Sequence, residues 1–141
     1  MTSSSSHVNV TFPGGKCVDA TIDGRVIHTD QSTPHGGAGT GPEPFDLFLA
    51  SLATCAGLYV LIFCQARGIP TSELRLDQEQ VFEDGKLRRI VLRVLLPTGF
   101  PDKYVDAVRA AAAGCKVKKT LLAPPDIEVI AVPAPSLAVP A

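Results

Sequence analysis

Four thiols are the side chains of this sequence best suited to chemistry of their own, and two of them, Cys55 and Cys115, stand where a reactive sulfur is useful. Cys55 lies in the middle of a long apolar stretch, with Ser51 one helical turn before it and Thr54 beside it. Position alone leaves a packed thiol open there, since free cysteine is among the most buried residue types. Cys115 follows Gly114 at the expected start of a short helix, where unpaired backbone N–H groups, the helix dipole and the charges of Lys116, Lys118 and Lys119 suit a reactive thiol. A capping cysteine beside a solvated basic face is the alternative. Cys64 comes nine residues after Cys55. At about 100° and 1.5 Å per residue that puts it on the opposite helix face, about 13 Å along the axis, too far for a bridge. Cys64 and Cys17 are therefore expected to be structural. No two cysteines form a C-x-x-C pair, and no Cys/His cluster has metal-ligand spacing, so zinc and thioredoxin-like chemistry are disfavoured. His28 and His35 are candidates for a base or proton donor, with a strand-end and a loop histidine as the plainer readings.

These residues need elements to hold them. Val8 to Phe12, Lys16 to Ile22 and Arg25 to Thr29 are β-favouring runs separated by Pro13-Gly14-Gly15 and Asp23-Gly24, which predicts a meander. Asp30 to Pro42 carries Gly36, Gly37, Gly39 and Gly41 and reads as a loop. Phe45 to Arg67 contains no proline and stops at Gly68-Ile69-Pro70, which predicts one long helix. Glu73 to Glu83 and Lys86 to Leu96 flank Asp84-Gly85 as a hairpin, with Arg88, Arg89 and Arg93 dividing its apolar residues. Tyr104 to Ala113 and Cys115 to Leu122 suit two further helices, and Ile127 to Val132 a last strand. Residues 1–7 and 133–141 lack periodicity and are expected to be flexible tails. The order implies a single α+β domain with mainly antiparallel sheet.

Bulk properties narrow the function further. Thirteen basic against fourteen acidic residues leave a net charge of -1, and aromatics make up 6% with no Trp, which argues against nucleic acid as a partner. The N-terminal serine run has neither a basic nor an apolar segment of the secretory kind, so a cytoplasmic, reducing setting is expected. Leu47 to Cys64 is apolar on nearly all faces and must be covered all round. Its length reaches the roughly 18 to 20 residues of a membrane span, but the amphipathic strands around it need a core to pack on, so a membrane is disfavoured. In so small a domain a second copy would cover the helix most easily, which predicts an obligate homodimer.

Two stretches resemble one known family. Gly41-Pro42-Glu43-Pro44-Phe45-Asp46-Leu47-Phe48-Leu49-Ala50-Ser51-Leu52-Ala53-Thr54-Cys55 looks like the G-P-x-P-x-E-L-L-L-A-A-L-x-x-C segment that opens the central helix of the OsmC/Ohr superfamily. Cys115-Lys116-Val117-Lys118-Lys119-Thr120-Leu121 is similar to that family's second motif, C-x-V-x-x-T-L. The resemblance covers Val8 to Val132 and is closest to the YhfA-like branch. It implies antiparallel sheets packed around a long central helix in an intertwined homodimer. It also implies a thiol peroxidase with Cys55 as the peroxidatic and Cys115 as the resolving cysteine, with an external dithiol as reductant and no metal, flavin or haem; organic hydroperoxides are expected over hydrogen peroxide because of the apolar leucines beside Cys55. The chain departs from the family at two points. Phe45 stands where the Ohr branch has its Glu, and Asp46, one methylene shorter, matches the YhfA-like Glu; its plainer role is a first-turn carboxylate. Arg25 is the candidate for the family arginine, an exposed strand residue being the commoner meaning. Leu52, Leu58 and Leu61 are expected to wall the pocket with apolar surface. The rival function is a non-catalytic dimer of the same fold that binds a small apolar ligand.

Overall fold

A computed structural model describes residues 2–134 of the chain, and the proline/alanine tail expected to fray lies outside them from residue 135 on. The described residues form two compact units, 2–47 with 126–134 and 48–125.

The first unit contains a three-stranded antiparallel sheet of β1 (Asn9–Gly14), β2 (Cys17–Ile22) and β3 (Arg25–Thr29) in the order β1-β2-β3. The β2–β3 turn is Asp23-Gly24, with φ positive at both residues (48° and 75°). That is the type I′ geometry which fits the right-handed twist of a hairpin and which Asp-Gly tolerates. Register pairs Asp19 with His28 and Ile22 with Arg25 across β2 and β3. Loop 30–43 follows, organised around Asp30, whose backbone N–H donates to the Pro42 carbonyl at 3.1 Å. The stretch 127–132, expected as a strand, has no regular secondary structure, and Ile127 and Val129 are 85% and 91% exposed. Its alternation suits a strand, but a strand needs a neighbour for its N–H groups, and this one has none among the described residues of the chain.

Helix α1 (Pro44–Ala66) begins in the first unit and runs through the second. Its start is fixed by Asp46, which accepts a hydrogen bond from the Glu43 backbone N–H at 3.0 Å, half of a capping box. Asp46→Ala is expected to lower stability by about 1 kcal/mol in thermal or urea unfolding, with Asp46→Asn, which keeps the acceptor, losing less.

In the second unit α1 packs on a hairpin, β4 (Arg75–Glu83) with β5 (Lys86–Leu95), and on α2 (Val105–Ala113) and α3 (Lys116–Leu122). Asp84-Gly85 again makes the turn with positive φ at both positions (51° and 73°). Alternation puts Leu76, Ile90, Leu92 and Val94 against the core, while Arg93 stays on the outer face with Asp77 and Glu79 at 3.4 and 2.7 Å. The core is Leu52, Ala56, Val60, Phe63 and Cys64 of α1 with Val108 and Ala112 of α2 and Cys115. Gln78 of β4 ties the sheet to the helix by donating to the Leu49 carbonyl at 3.0 Å.

Within one chain the helix is covered on one face only, which leaves open the side for which the sequence calls for a second copy. Its core face is sealed, but Leu58 and Ile62 are 51% and 53% exposed and Tyr59 is also exposed. By length and composition it could cross a membrane. Five of its residues are buried in the core of this unit.

Candidate functional site

Cys55 and Cys115 both belong to the second unit, and the structure gives them different environments. Cys55 is half-buried on α1, packed against the core cluster that contains Cys115. It opens onto a cavity of about 390 Å³ that it shares with Phe48, Lys116, Val117, Thr120 and Leu121. The last four come from α3, so the residues that follow Cys115 in the chain face the Cys55 thiol across the cavity. Apart from the thiol and the Lys116 ammonium that wall is carbon and one hydroxyl, and the Thr120 hydroxyl is spent on the Lys116 carbonyl at 2.8 Å.

Cys115 is 0% exposed and is the N-cap of α3, its Sγ accepting the Lys118 backbone N–H at 3.4 Å. Sequence reasoning placed it at a helix start, and that is where it sits. Both cysteines are free thiols. With one sulfur half-open beside a cavity and the other sealed in the core, a small molecule reaches Cys55 first.

The apolar wall is made differently from the expectation. Leu52 faces the core and a separate cavity with Ile90 and Leu92, Leu58 points outward, and Leu61 lines a third cavity with Leu74 and Leu76. At about 100° per residue Leu52 and Leu61 project to opposite sides, so no one pocket can use all three. Phe48, Val117 and Leu121 supply the apolar surface beside Cys55 instead.

Cys64 is fully buried, and burial pushes its thiol up, opposed by the nearby Arg67 guanidinium. Cys17, in the first unit, is half-buried with Sγ 3.8 Å from Thr40 Oγ1. Arg25 is exposed at the start of β3 and makes no ion pair among the described residues. Asp46 is exposed and engaged in the α1 cap. Among the described residues no cluster of His, Cys, Asp and Glu could hold a metal ion.

The two histidines enter hydrogen-bond networks of the first unit that the sequence did not announce. His35 Nδ1 lies 2.8 Å from Glu43 Oε1 and 3.1 Å from Ser32 Oγ. His28 Nδ1 lies 2.6 Å from Asp19 Oδ1, and its Nε2 is 2.9 Å from Thr40 Oγ1. The Thr40 hydroxyl donates to Asp30 at 2.7 Å, which also accepts the backbone N–H groups of Thr40 at 3.0 Å and Gln31 at 2.7 Å. Asp30 is 1% exposed, yet these donors, the Thr40 backbone N–H foremost and its hydroxyl next, hold its carboxyl down from the usual 3.8 to about 2 against the opposing effect of burial. Because the native carboxyl is the stronger acid, its ionised form stabilises the loop fully above pH 3.8, and that contribution is lost as pH falls towards about 2. Amide exchange of Thr40 and Gln31, followed from pH 5 to about 2, is expected to show protection falling across that window.

Antiparallel sheets and a long helix define an α+β protein in which one free thiol faces a cavity and a second caps a later helix. The model of the OsmC-like protein family matches residues 36–130, a stretch that contains both cysteines, and the chain belongs to that family. No curated protein matches it. Among solved structures, it is similar to an OsmC-like protein from Mycoplasma pneumoniae, with a TM-score of 0.68 at 16% identity over 86% of this chain and 89% of the other. A protein from Psychrobacter arcticus 273-4, named as an osmotic stress induced and detoxification response protein, gives a TM-score of 0.67 at 22% identity over 84% and 90%. An organic hydroperoxide resistance protein OsmC from Legionella pneumophila gives 0.55 at 17% identity over 86% and 91%. At these identities the likeness shows the fold, which is the OsmC-like α+β fold expected from the sequence.

Proposed function

We propose that this protein is a thiol-dependent peroxidase of the OsmC type that reduces organic hydroperoxides and serves in oxidative or osmotic stress protection. The observation that carries the reading is the contrast between a half-open Cys55 on a largely apolar cavity and a sealed Cys115 whose neighbours Lys116 and Val117 line that cavity. The Cys55 thiolate attacks the O–O bond, the leaving alkoxide takes a proton to become the alcohol, and Cys55 becomes a sulfenic acid. The Cys115 thiol displaces water from that sulfenic acid to give a Cys55–Cys115 disulfide, and an external dithiol restores both thiols as it is itself oxidised. Arg25 and Asp46 are the proposed supports of Cys55, on the resemblance to the family motif. The exposed Leu58 and Ile62, and the run 127–132 with no strand pairing among the described residues, support a homodimer; a single domain and a cytoplasmic setting are proposed on the sequence alone.

The test is a count of free thiols before and after one equivalent of cumene hydroperoxide. Loss of two thiols per chain, recovered by a dithiol reductant, is the expected result. Unchanged thiols would overturn the peroxidase and favour a dimer that only binds a small apolar ligand. Turnover of hydrogen peroxide equal to or faster than that of cumene hydroperoxide would overturn the organic preference.

A further inference from the structure

The Asp19–His28–Thr40–Asp30 chain of hydrogen bonds fixes where its protons lie. Thr40 has one hydroxyl proton, and Asp30 Oδ2 accepts it at 2.7 Å. Thr40 Oγ1 then has only lone pairs to offer His28 Nε2 at 2.9 Å, so that nitrogen must carry a proton and donate it. On the other side of the ring Nδ1 faces Asp19 Oδ1 at 2.6 Å, an oxygen that accepts, so Nδ1 must donate as well. With both carboxyls ionised, every contact is satisfied only by an imidazolium between two carboxylates, one direct and one reached through a hydroxyl. A neutral ring retains Nδ1–H towards Asp19 and turns a bare Nε2 on Thr40 Oγ1. The hydroxyl must then leave Asp30 to reach Nε2, or lone pairs oppose each other; either way one bond of the chain is lost.

The bonds in question hold a defined piece of chain. His28 and Asp19 are cross-strand partners in β3 and β2, whereas Thr40 and Gly41 belong to the glycine-rich loop that returns to the sheet. Gly41 lies so close to the ring that a Cβ there would come within 2.8 Å of His28 Cδ2, and a Cβ at Gly37 would overlap the Gln31 carbonyl oxygen. The loop is thus seated closely on His28 and Asp30, with room for no side chain at either glycine. Among the described residues the ionisable groups facing the ring are Asp19 from β2 and, through Thr40, Asp30 of the loop, with the Cys17 thiol of β2 also 3.8 Å from Thr40 Oγ1.

We infer that His28 is a proton-operated clasp, which in its doubly protonated form completes the bonds that hold the glycine-rich loop 30–43 to the β2–β3 strand pair and on losing a proton gives up one bond of that chain, loosening the Thr40 end of the loop. The clasp is independent of the peroxidase reading, and its readout uses neither thiol of the proposed site. The experiment is a pH titration of the full chain by NMR, following the His28 ring nitrogens together with exchange protection of the Thr40 and Gly39 amides, corrected for the intrinsic base-catalysed rate. Both ring nitrogens are expected to be protonated where the loop is protected, and Thr40 protection to fall by about tenfold or more with the same midpoint as the ring. In His28→Gln, whose side-chain amide donates at any pH, the pH dependence of Thr40 protection in that range is expected to disappear. A ring that is neutral at Nε2 while the loop is protected, a Thr40 protection that stays flat as the ring titrates, or an unchanged pH dependence in His28→Gln would overturn the clasp. If His28→Gln does not fold, the wild-type titration alone decides.

Discussion

Cys55→Ser is expected to abolish hydroperoxide-driven thiol loss, slowing it by at least about a hundredfold, or roughly 2.7 kcal/mol of barrier. A serine hydroxyl at neutral pH is a far weaker nucleophile than a thiolate and does not form the sulfur–oxygen product on which the second step depends. The partner variant, Cys115→Ser, is expected to behave differently: one hydroperoxide is consumed per chain, no disulfide forms, and a dimedone-type reagent traps a sulfenic acid on Cys55. The asymmetry follows from access, because Cys55 opens on the cavity and Cys115 is sealed. Cys17→Ser, altering a thiol of the other unit, is expected to leave both steps unchanged. Equal rates in Cys55→Ser and wild type would remove Cys55 from the chemistry. Trapping on Cys115 in place of Cys55 would reverse the two roles.

The largest expected loss of stability is at Phe63. Its ring is buried in the core of the second unit, meets Tyr104 edge-on at 5.7 Å and 83°, and carries the Arg67 guanidinium 3.6 Å above its centroid. Phe63→Ala removes the buried carbon and leaves a cavity, for about 3–5 kcal/mol. The edge contact and the cation add about 1 kcal/mol each. Since each kcal/mol moves the midpoint of a domain this size by roughly 2–4 °C, the melting temperature is expected to drop by about 10 °C or more. Phe63→Leu, which refills much of the space and gives up the ring contacts, is expected to lose less than half as much. A drop of under about 1 kcal/mol for the alanine variant would mean that this part of the core relaxes around the gap.

The parts of the structure legible in the sequence are those set by local rules. The long helix stops close to where Gly68-Ile69-Pro70 says it must, both Asp-Gly pairs form the turns that their positive φ demands, and Cys115 caps the helix that Gly114 precedes. What the sequence withheld depends on partners distant in the chain. Leu47 to Cys64 is equally apolar towards the core and towards the side where Leu58 and Ile62 remain open, so composition cannot separate the two faces. Phe48 and Leu121 line the Cys55 cavity from positions about half the chain apart, a proximity that no spacing rule encodes. Ile127 to Val132 has the alternation of a strand but no strand neighbour among the described residues, and alternation does not supply one. The role of Thr40 was the least visible, because a threonine in a glycine-rich loop has no periodic signature and gains its meaning only from His28 and Asp30.

The sulfur that caps α3 is also the one assigned to resolve the sulfenic acid, and these two duties compete. Once Cys115 shares a bond with Cys55, it is a poorer acceptor for the Lys118 amide, and the first turn of a seven-residue helix loses its anchor. On this chemistry each catalytic cycle would loosen and re-form a lysine-rich turn, so the oxidised protein would show the incoming reductant a different basic surface from the one the reduced protein displays.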